Sequence, residues 1–143
     1  REHTALTGGE IEARVHEALE SVGLRRVDHL LPGELSGGML RRTALARAIV
    51  HQPRILLCDE PFSGLDPISV RRIEELLVDL NREHGMTILV VSHHIPSTMR
   101  MADHVLLFLG DRHVSGTPDE MRARPETEIA AFFEESRPAG SLG

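Results

Sequence analysis

Apolar positions recur at helical spacing near the start of the chain. Ile11, Val15, Ala18, Leu19 and Val22 predict an amphipathic helix over 10–22, and Gly23 is placed to end it. Pro32-Gly33 marks a loop. A second helix is predicted from Gly38 to about Val50, through Arg- and Ala-rich sequence, with Gln52-Pro53 ending it. Ile55 to Cys58 is a short, continuously apolar run, the pattern of a strand covered on both faces in a parallel sheet. Asp66-Pro67 reads as an N-cap followed by proline at the first helical position. Ile73, Leu76, Leu77 and Leu80 supply that helix's apolar stripe, and Gly85 ends it. Thr87 to Val91 predicts a second buried strand, and 105–115 a hairpin turning at Gly110-Asp111. Thr117-Pro118-Asp119-Glu120 is a capping box, and a last helix is expected over about 126–135, before a frayed tail from Arg137. Strands alternating with helices imply an α/β fold.

Composition narrows the function classes. The 143 residues can bury one core, and 41% of them are hydrophobic, which excludes wholesale disorder. A net charge of −6 argues against nucleic acid as the main partner. No apolar run reaches the length of a membrane-spanning helix. All 16 basic residues are Arg, and the chain contains no Lys. The single cysteine, Cys58, sits among Ile55, Leu56 and Leu57 and is expected to be a small buried core residue.

Four short segments carry candidate chemistry. Leu35-Ser36-Gly37-Gly38-Met39 opens a helix, where free backbone N–H groups and the positive end of the helix dipole favour a phosphate. Taken alone, such a run is usually just a loop with an N-cap. Asp59 and Glu60 close an apolar strand and so stand at the carboxyl edge of a sheet, where ligands of open α/β sheets bind. One carboxylate there can hold Mg²⁺ and the next can orient or deprotonate a water; an isolated pair of this kind is more often a solvated acidic loop. Ser63-Gly64-Leu65-Asp66 follows, and Asp66 serves as a helix cap whatever else it does. The strand through Val90-Val91 ends in Ser92-His93-His94. A lone histidine there is more often structural than catalytic, and a pair also suggests metal, but no cysteine or second acidic cluster at ligand spacing accompanies it, which argues against a dedicated transition-metal site.

In this order and at these spacings the four segments resemble the second half of an ABC ATPase subunit. They match its signature motif (Leu35 to Met39), Walker B strand (Ile55 to Glu60), D-loop (Ser63 to Asp66) and switch histidine (His93). Ala44 to Ile49, Gly110 and Gly116-Thr117-Pro118 also match, so the resemblance covers nearly the whole chain. Met39 in place of the usual Gln, followed by Arg41-Arg42, with Pro61-Phe62 and Asp66-Pro67-Ile68, is similar to the phospholipid-trafficking ATPases of Gram-negative bacteria. These are the maintenance-of-lipid-asymmetry or toluene-tolerance type. His94 stands where that pattern commonly has Asp.

The resemblance implies a P-loop NTPase fold, with a helical signature region over 1–52. The Walker B half of a mainly parallel sheet follows over 53–116, and C-terminal helices and tail over 117–143. It implies ATP and Mg²⁺ as ligands and a second ATPase subunit packed head to tail. Ser36, Gly37 and Gly38 would then contact the γ-phosphate of nucleotide held by the partner, and His93 the γ-phosphate. Asp59 would help hold Mg²⁺, Glu60 would be the general base, and Asp66 would communicate across the dimer. A membrane permease would be the docking partner, placing the subunit at the cytoplasmic face of the inner membrane.

A Walker A loop requires Gly-x-x-x-x-Gly-Lys, so a chain without Lys does not contain one. Without Tyr or Trp it also lacks the adenine-stacking aromatic expected upstream, and the glutamine loop is expected before Arg1. These residues are therefore expected to be part of a longer subunit. Alone, they are expected to be inactive and prone to aggregate along the edge at Ile55 to Cys58. Two other classes fit less of the pattern: a soluble ABC-type ATPase of repair or translation, and a non-enzymatic half-domain that regulates a partner.

Overall fold

The computed structural model describes residues 6–27, 29–125 and 129. Internal contacts divide the chain into two units, 1–91 and 92–143.

The first unit opens with helix α1 (Gly8–Ser21). Thr7 caps it through a reciprocal pair: the Glu10 N–H donates to Thr7 Oγ1 at 3.4 Å, and the Thr7 N–H donates to Glu10 Oε2 at 2.7 Å. Gly23 follows at φ 68°, in the left-handed region where a side chain is strained. A short turn of 3₁₀ helix (Pro32–Glu34) leads to α2 (Gly37–Ile49), which packs on α1. Ala18, Val22, Leu24, Ala46 and Ile49 are buried in these segments. Strand β1 (Ile55–Asp59), helix α3 (Pro67–His84) and strand β2 (Thr87–Val91) complete the unit. β1 and β2 pair in parallel, Ile55 opposite Thr87 and Asp59 opposite Val91. The crossover helix α3 contacts β2 and buries Val70, Ile73, Leu76, Leu77 and Leu80, each contributing about 1.5–3 kcal/mol. Gly85 ends α3 in the left-handed conformation at φ 61°.

The expectation that both strands are covered on both faces is corrected. Leu56 and Cys58 are buried, but Ile55 is 62% exposed and Leu57 71%. On β2, Leu89 and Val91 are likewise exposed. The apolar run is real, yet the strands alternate, because no second layer of the described residues lies on the outer face. β1 pairs only with β2 among the described residues, leaving its other edge open. The predicted stripe of α1 is covered only at its end: Ala18 and Val22 are buried, Ile11 and Val15 exposed. Cys58 is a core residue as expected, and burial pushes its thiol pKa up.

The second unit holds α4 (Ile95–Met101), the antiparallel hairpin of β3 (Val105–Leu109) and β4 (Arg112–Gly116), and α5 (Pro118–Arg122). Met99, Val105 and Met121 form its buried centre, with Ile95, Ala102, Leu107 and Val114 against them. The capping box at Thr117 forms as expected. An Arg122 guanidinium N–H donates to the Met99 carbonyl at 3.2 Å, tying α5 to α4. The helix α4 was not foreseen. The expected helix over 126–135 lies outside the described residues, apart from a fully buried Ile129.

Candidate functional site

The Ser-Gly-Gly segment is built as a helix N-terminus. Ser36 is the N-cap of α2, its Oγ accepting the Met39 N–H at 3.3 Å. Gly37 and Gly38 are the first helical residues, whose N–H groups have no partner within the helix. Their own fold does not require glycine. Neither has positive φ. A Cβ added at Gly37 meets nothing within 4 Å, and one at Gly38 meets only Ser69 Oγ at 3.9 Å. The missing side chains leave bare backbone facing outward.

The loop after β1 comes to the same place. A cleft of 390 Å³ is lined by Ser36, Gly37 and Gly38 from one side and by Gly64, Asp66 and Ser69 from the other. Arg42 also lines it, while donating to the Gly23 carbonyl at 3.0 Å and so holding α2 on the end of α1. Sequence positions 36–38 and 64–66 thus share one surface.

Asp59 and Glu60 sit at the carboxyl end of β1, Asp59 exposed and Glu60 half-buried. Glu60 is in the left-handed region at φ 46°, a conformation costing a non-glycine residue roughly 1–3 kcal/mol. Its N–H donates to the Val91 carbonyl at 2.8 Å, fixing the turn against the end of β2. The turn continues with Ser63 N–H to the Glu60 carbonyl at 3.2 Å and Leu65 N–H to the Phe62 carbonyl at 3.3 Å, over a buried Phe62. Arg41 of α2 donates to two carbonyls of this turn: to Glu60 at 3.4 Å through Nη1, and to Ser63 through Nη2.

Comparison with known proteins decides what this arrangement is. The family model described as ABC transporter matches residues 1–63. The Escherichia coli K12 intermembrane phospholipid transport system ATP-binding protein MlaF is 41% identical over 135 residues, 94% of this chain and 50% of that protein. A methionine import ATP-binding protein MetN of Photorhabdus laumondii is 42% identical over 128 residues, 89% of this chain and 37% of that protein. The structure of cbiO1 from Clostridium perfringens, part of an ABC transporter complex, superposes with TM-score 0.78 at 32% identity. It covers 94% of this chain and 50% of that one. The chain belongs to the ABC transporter ATP-binding family. It spans about half the length of the curated relatives it matches.

Within this family setting Asp66 is first a helix cap. Its Oδ1 accepts the N–H groups of Ile68 and Ser69, each at 3.0 Å, and its Oδ2 accepts the Ser69 hydroxyl at 2.5 Å. The Ser69 hydroxyl, then the Ser69 N–H, hold its carboxyl below the ordinary carboxylate range. A lowered folded-state pKa contributes stability that is present above the unfolded pKa and lost as pH falls through the folded one. Melting of the complete subunit and of Asp66→Asn, which keeps a capping oxygen but does not titrate, should therefore differ by a constant amount down to about pH 4 and converge below it. A difference that stays constant into stronger acid contradicts this role for the ionised carboxylate.

His93 and His94 belong to the second unit. His93 is exposed, and its carbonyl accepts the Ile95 N–H at 3.1 Å. His94 is the N-cap of α4: the Ser97 N–H donates to its Nδ1 at 3.3 Å, and Ser97 Oγ lies 2.7 Å from the same atom. The residue that departs from the family's usual Asp thus does the capping that an Asp side chain does elsewhere.

Among the described residues no group of three His, Cys, Asp or Glu could hold a metal ion. Exposed Asp59, at the sheet's carboxyl edge, fits a different arrangement. Mg²⁺ is commonly bound by one or two carboxylates, with substrate phosphates and water completing its shell.

Proposed function

We propose that the complete subunit hydrolyses ATP to drive a membrane transporter that moves phospholipid. The observation that carries this reading is the outward-facing backbone at Gly37 and Gly38, glycines that the chain's own packing does not need. Bare N–H groups at a helix N-terminus suit a phosphate brought by another body. In this reading that body is a second subunit, packed head to tail, and Ser36, Gly37 and Gly38 close over the γ-phosphate it holds. Gly64 and Asp66, lining the same cleft, sit where the partner's signal arrives.

On the other side of the turn, Asp59 would hold Mg²⁺, which neutralises charge on the β- and γ-phosphates. Glu60 accepts the proton of the attacking water as its oxygen bonds to the γ-phosphorus and the bond to the β-phosphate oxygen breaks. His93 binds the γ-phosphate and reports its presence. Among the described residues no helix is long and apolar enough to cross a membrane. In this reading the subunit attaches to the membrane through a permease partner at the cytoplasmic face of the inner membrane.

Phospholipid is favoured as cargo by the identity with the phospholipid-system relative over 94% of this chain, and by Met39, Arg41 and Arg42 in the signature segment. The methionine importer's comparable identity over a shorter stretch supplies the competing substrate. The complete transporter in lipid vesicles should transfer labelled phospholipid only with hydrolysable ATP. Methionine should neither move nor stimulate hydrolysis. ATP-dependent methionine uptake without phospholipid transfer overturns the cargo assignment while leaving the ATPase reading intact.

A further inference from the structure

We propose that Arg41 is a positioning residue for hydrolysis, bracing the turn that carries Glu60. The proposal rests on the ATPase reading above. Arg41 lies on α2, 19 residues before Glu60 and 22 before Ser63. Its guanidinium donates to both carbonyls, the two ends of the turn from Glu60 to Ser63. The Glu60 carbonyl also accepts the Ser63 N–H, so its second lone pair goes to Arg41. The fork therefore spans a turn whose first residue is held at φ 46°. A planar, always charged guanidinium suits this task, because two donors in fixed geometry reach two fixed acceptors.

The consequence for chemistry is geometric. Glu60's backbone is tied in front by its N–H to the Val91 carbonyl and behind by its carbonyl to Arg41. Losing the Arg41 tie leaves that carbonyl the Ser63 N–H of the same turn, a weaker hold than a charged donor adds, so the peptide after Glu60 gains room to rotate and to move the carboxylate relative to the sheet edge. A displacement of about 1 Å at a reacting group costs on the order of 10²-fold in rate. Arg41 also stands about one helical turn beyond Gly37 and Gly38, so one rigid element carries both the outward-facing glycines and the brace.

The test uses the complete subunit with Arg41→Ala and Arg41→Lys. Arg41→Ala should lower kcat by about 10–100-fold while KM for ATP stays within about twofold, since Arg41 lines no part of the cleft. Backbone amides of Ser63 and Leu65 should exchange with solvent about tenfold faster, with α2 and α3 amides unchanged. Arg41→Lys should recover part of kcat, as one ammonium satisfies one carbonyl but lacks the fork. If Arg41→Ala does not fold, Arg41→Lys decides: intermediate kcat with unchanged KM supports the brace, and unmodified kcat overturns it. Unchanged kcat in Arg41→Ala, or a raised KM with kcat intact, overturns the proposal alone. No hydrolysis by the unmodified subunit overturns the ATPase reading and the proposal together.

Discussion

Replacing Glu60 by Gln in the complete subunit is expected to lower ATP turnover by about 10²–10⁴-fold and to leave nucleotide affinity nearly unchanged. The substitution keeps the size of the side chain and removes the basic oxygen that, in the proposed reading, takes the proton from water. Three backbone ties that hold this residue in the turn are untouched by the substitution: its N–H donates to the Val91 carbonyl, and its carbonyl accepts from Ser63 and Arg41. Gln meets the left-handed φ of 46° on the same terms as Glu, so the variant turn should be populated as before. Single-turnover hydrolysis and equilibrium nucleotide binding, measured on the same preparation, separate the contributions. Turnover near that of the unmodified subunit removes Glu60 from the base role. Lost affinity together with lost turnover would assign it to binding instead.

The contrast between Glu60 and Arg41 shows where sequence reading stops. Glu60 was legible because an apolar strand ending in Asp-Glu has a physical meaning without any partner: carboxylates at a sheet edge. Arg41 stood out only as part of a resemblance. Its bonds to residues 60 and 63 are tertiary, and no local pattern encodes a contact 19 or 22 residues away. Local chemistry, by contrast, was readable at several helix ends. Asp66-Pro67 and the Thr117 capping box form as their residue types dictate, and Gly85 ends α3 where the stripe ends. The seven-residue α4 escaped because its cap is a histidine and its sequence, Ile95 to Met101, is too short to display a period.

Burial was the weakest inference. A continuous apolar run such as Ile55 to Cys58 reports that a strand can be covered on both faces, not what covers it. α3 packs beside β2, yet Leu57 and Leu89 stay exposed. The exposed half of α1's stripe, Ile11 and Val15, has the same cause. The candidate site itself was legible as four separate segments. What the structure adds is that residues 36–38 and 64–66 line one cleft, a fact that depends on α2 packing beside the turn.

The second large effect is expected at Gly37. Substitution by Trp should abolish ATP-dependent dimerisation of the complete subunit and reduce turnover by at least about 10²-fold. Hydrogen bonds to charged groups contribute about 1.5–3 kcal/mol each, and an indole over the helix N-terminus blocks approach to more than one donor. The fold should survive. The position is helical, a Cβ there meets nothing within 4 Å, and Trp has a higher helix propensity than Gly. Loss of dimerisation would therefore come from the blocked surface, not from unfolding.

The measurement that bears most directly on the central claim compares two quantities in this variant: nucleotide affinity of the isolated monomer and ATP-dependent dimerisation. The claim is that Ser36 to Gly38 serve a phosphate held by another subunit. It predicts monomer affinity within about twofold of the unmodified subunit, with no dimer formed at saturating ATP. Collapsed monomer affinity with dimerisation preserved would contradict it.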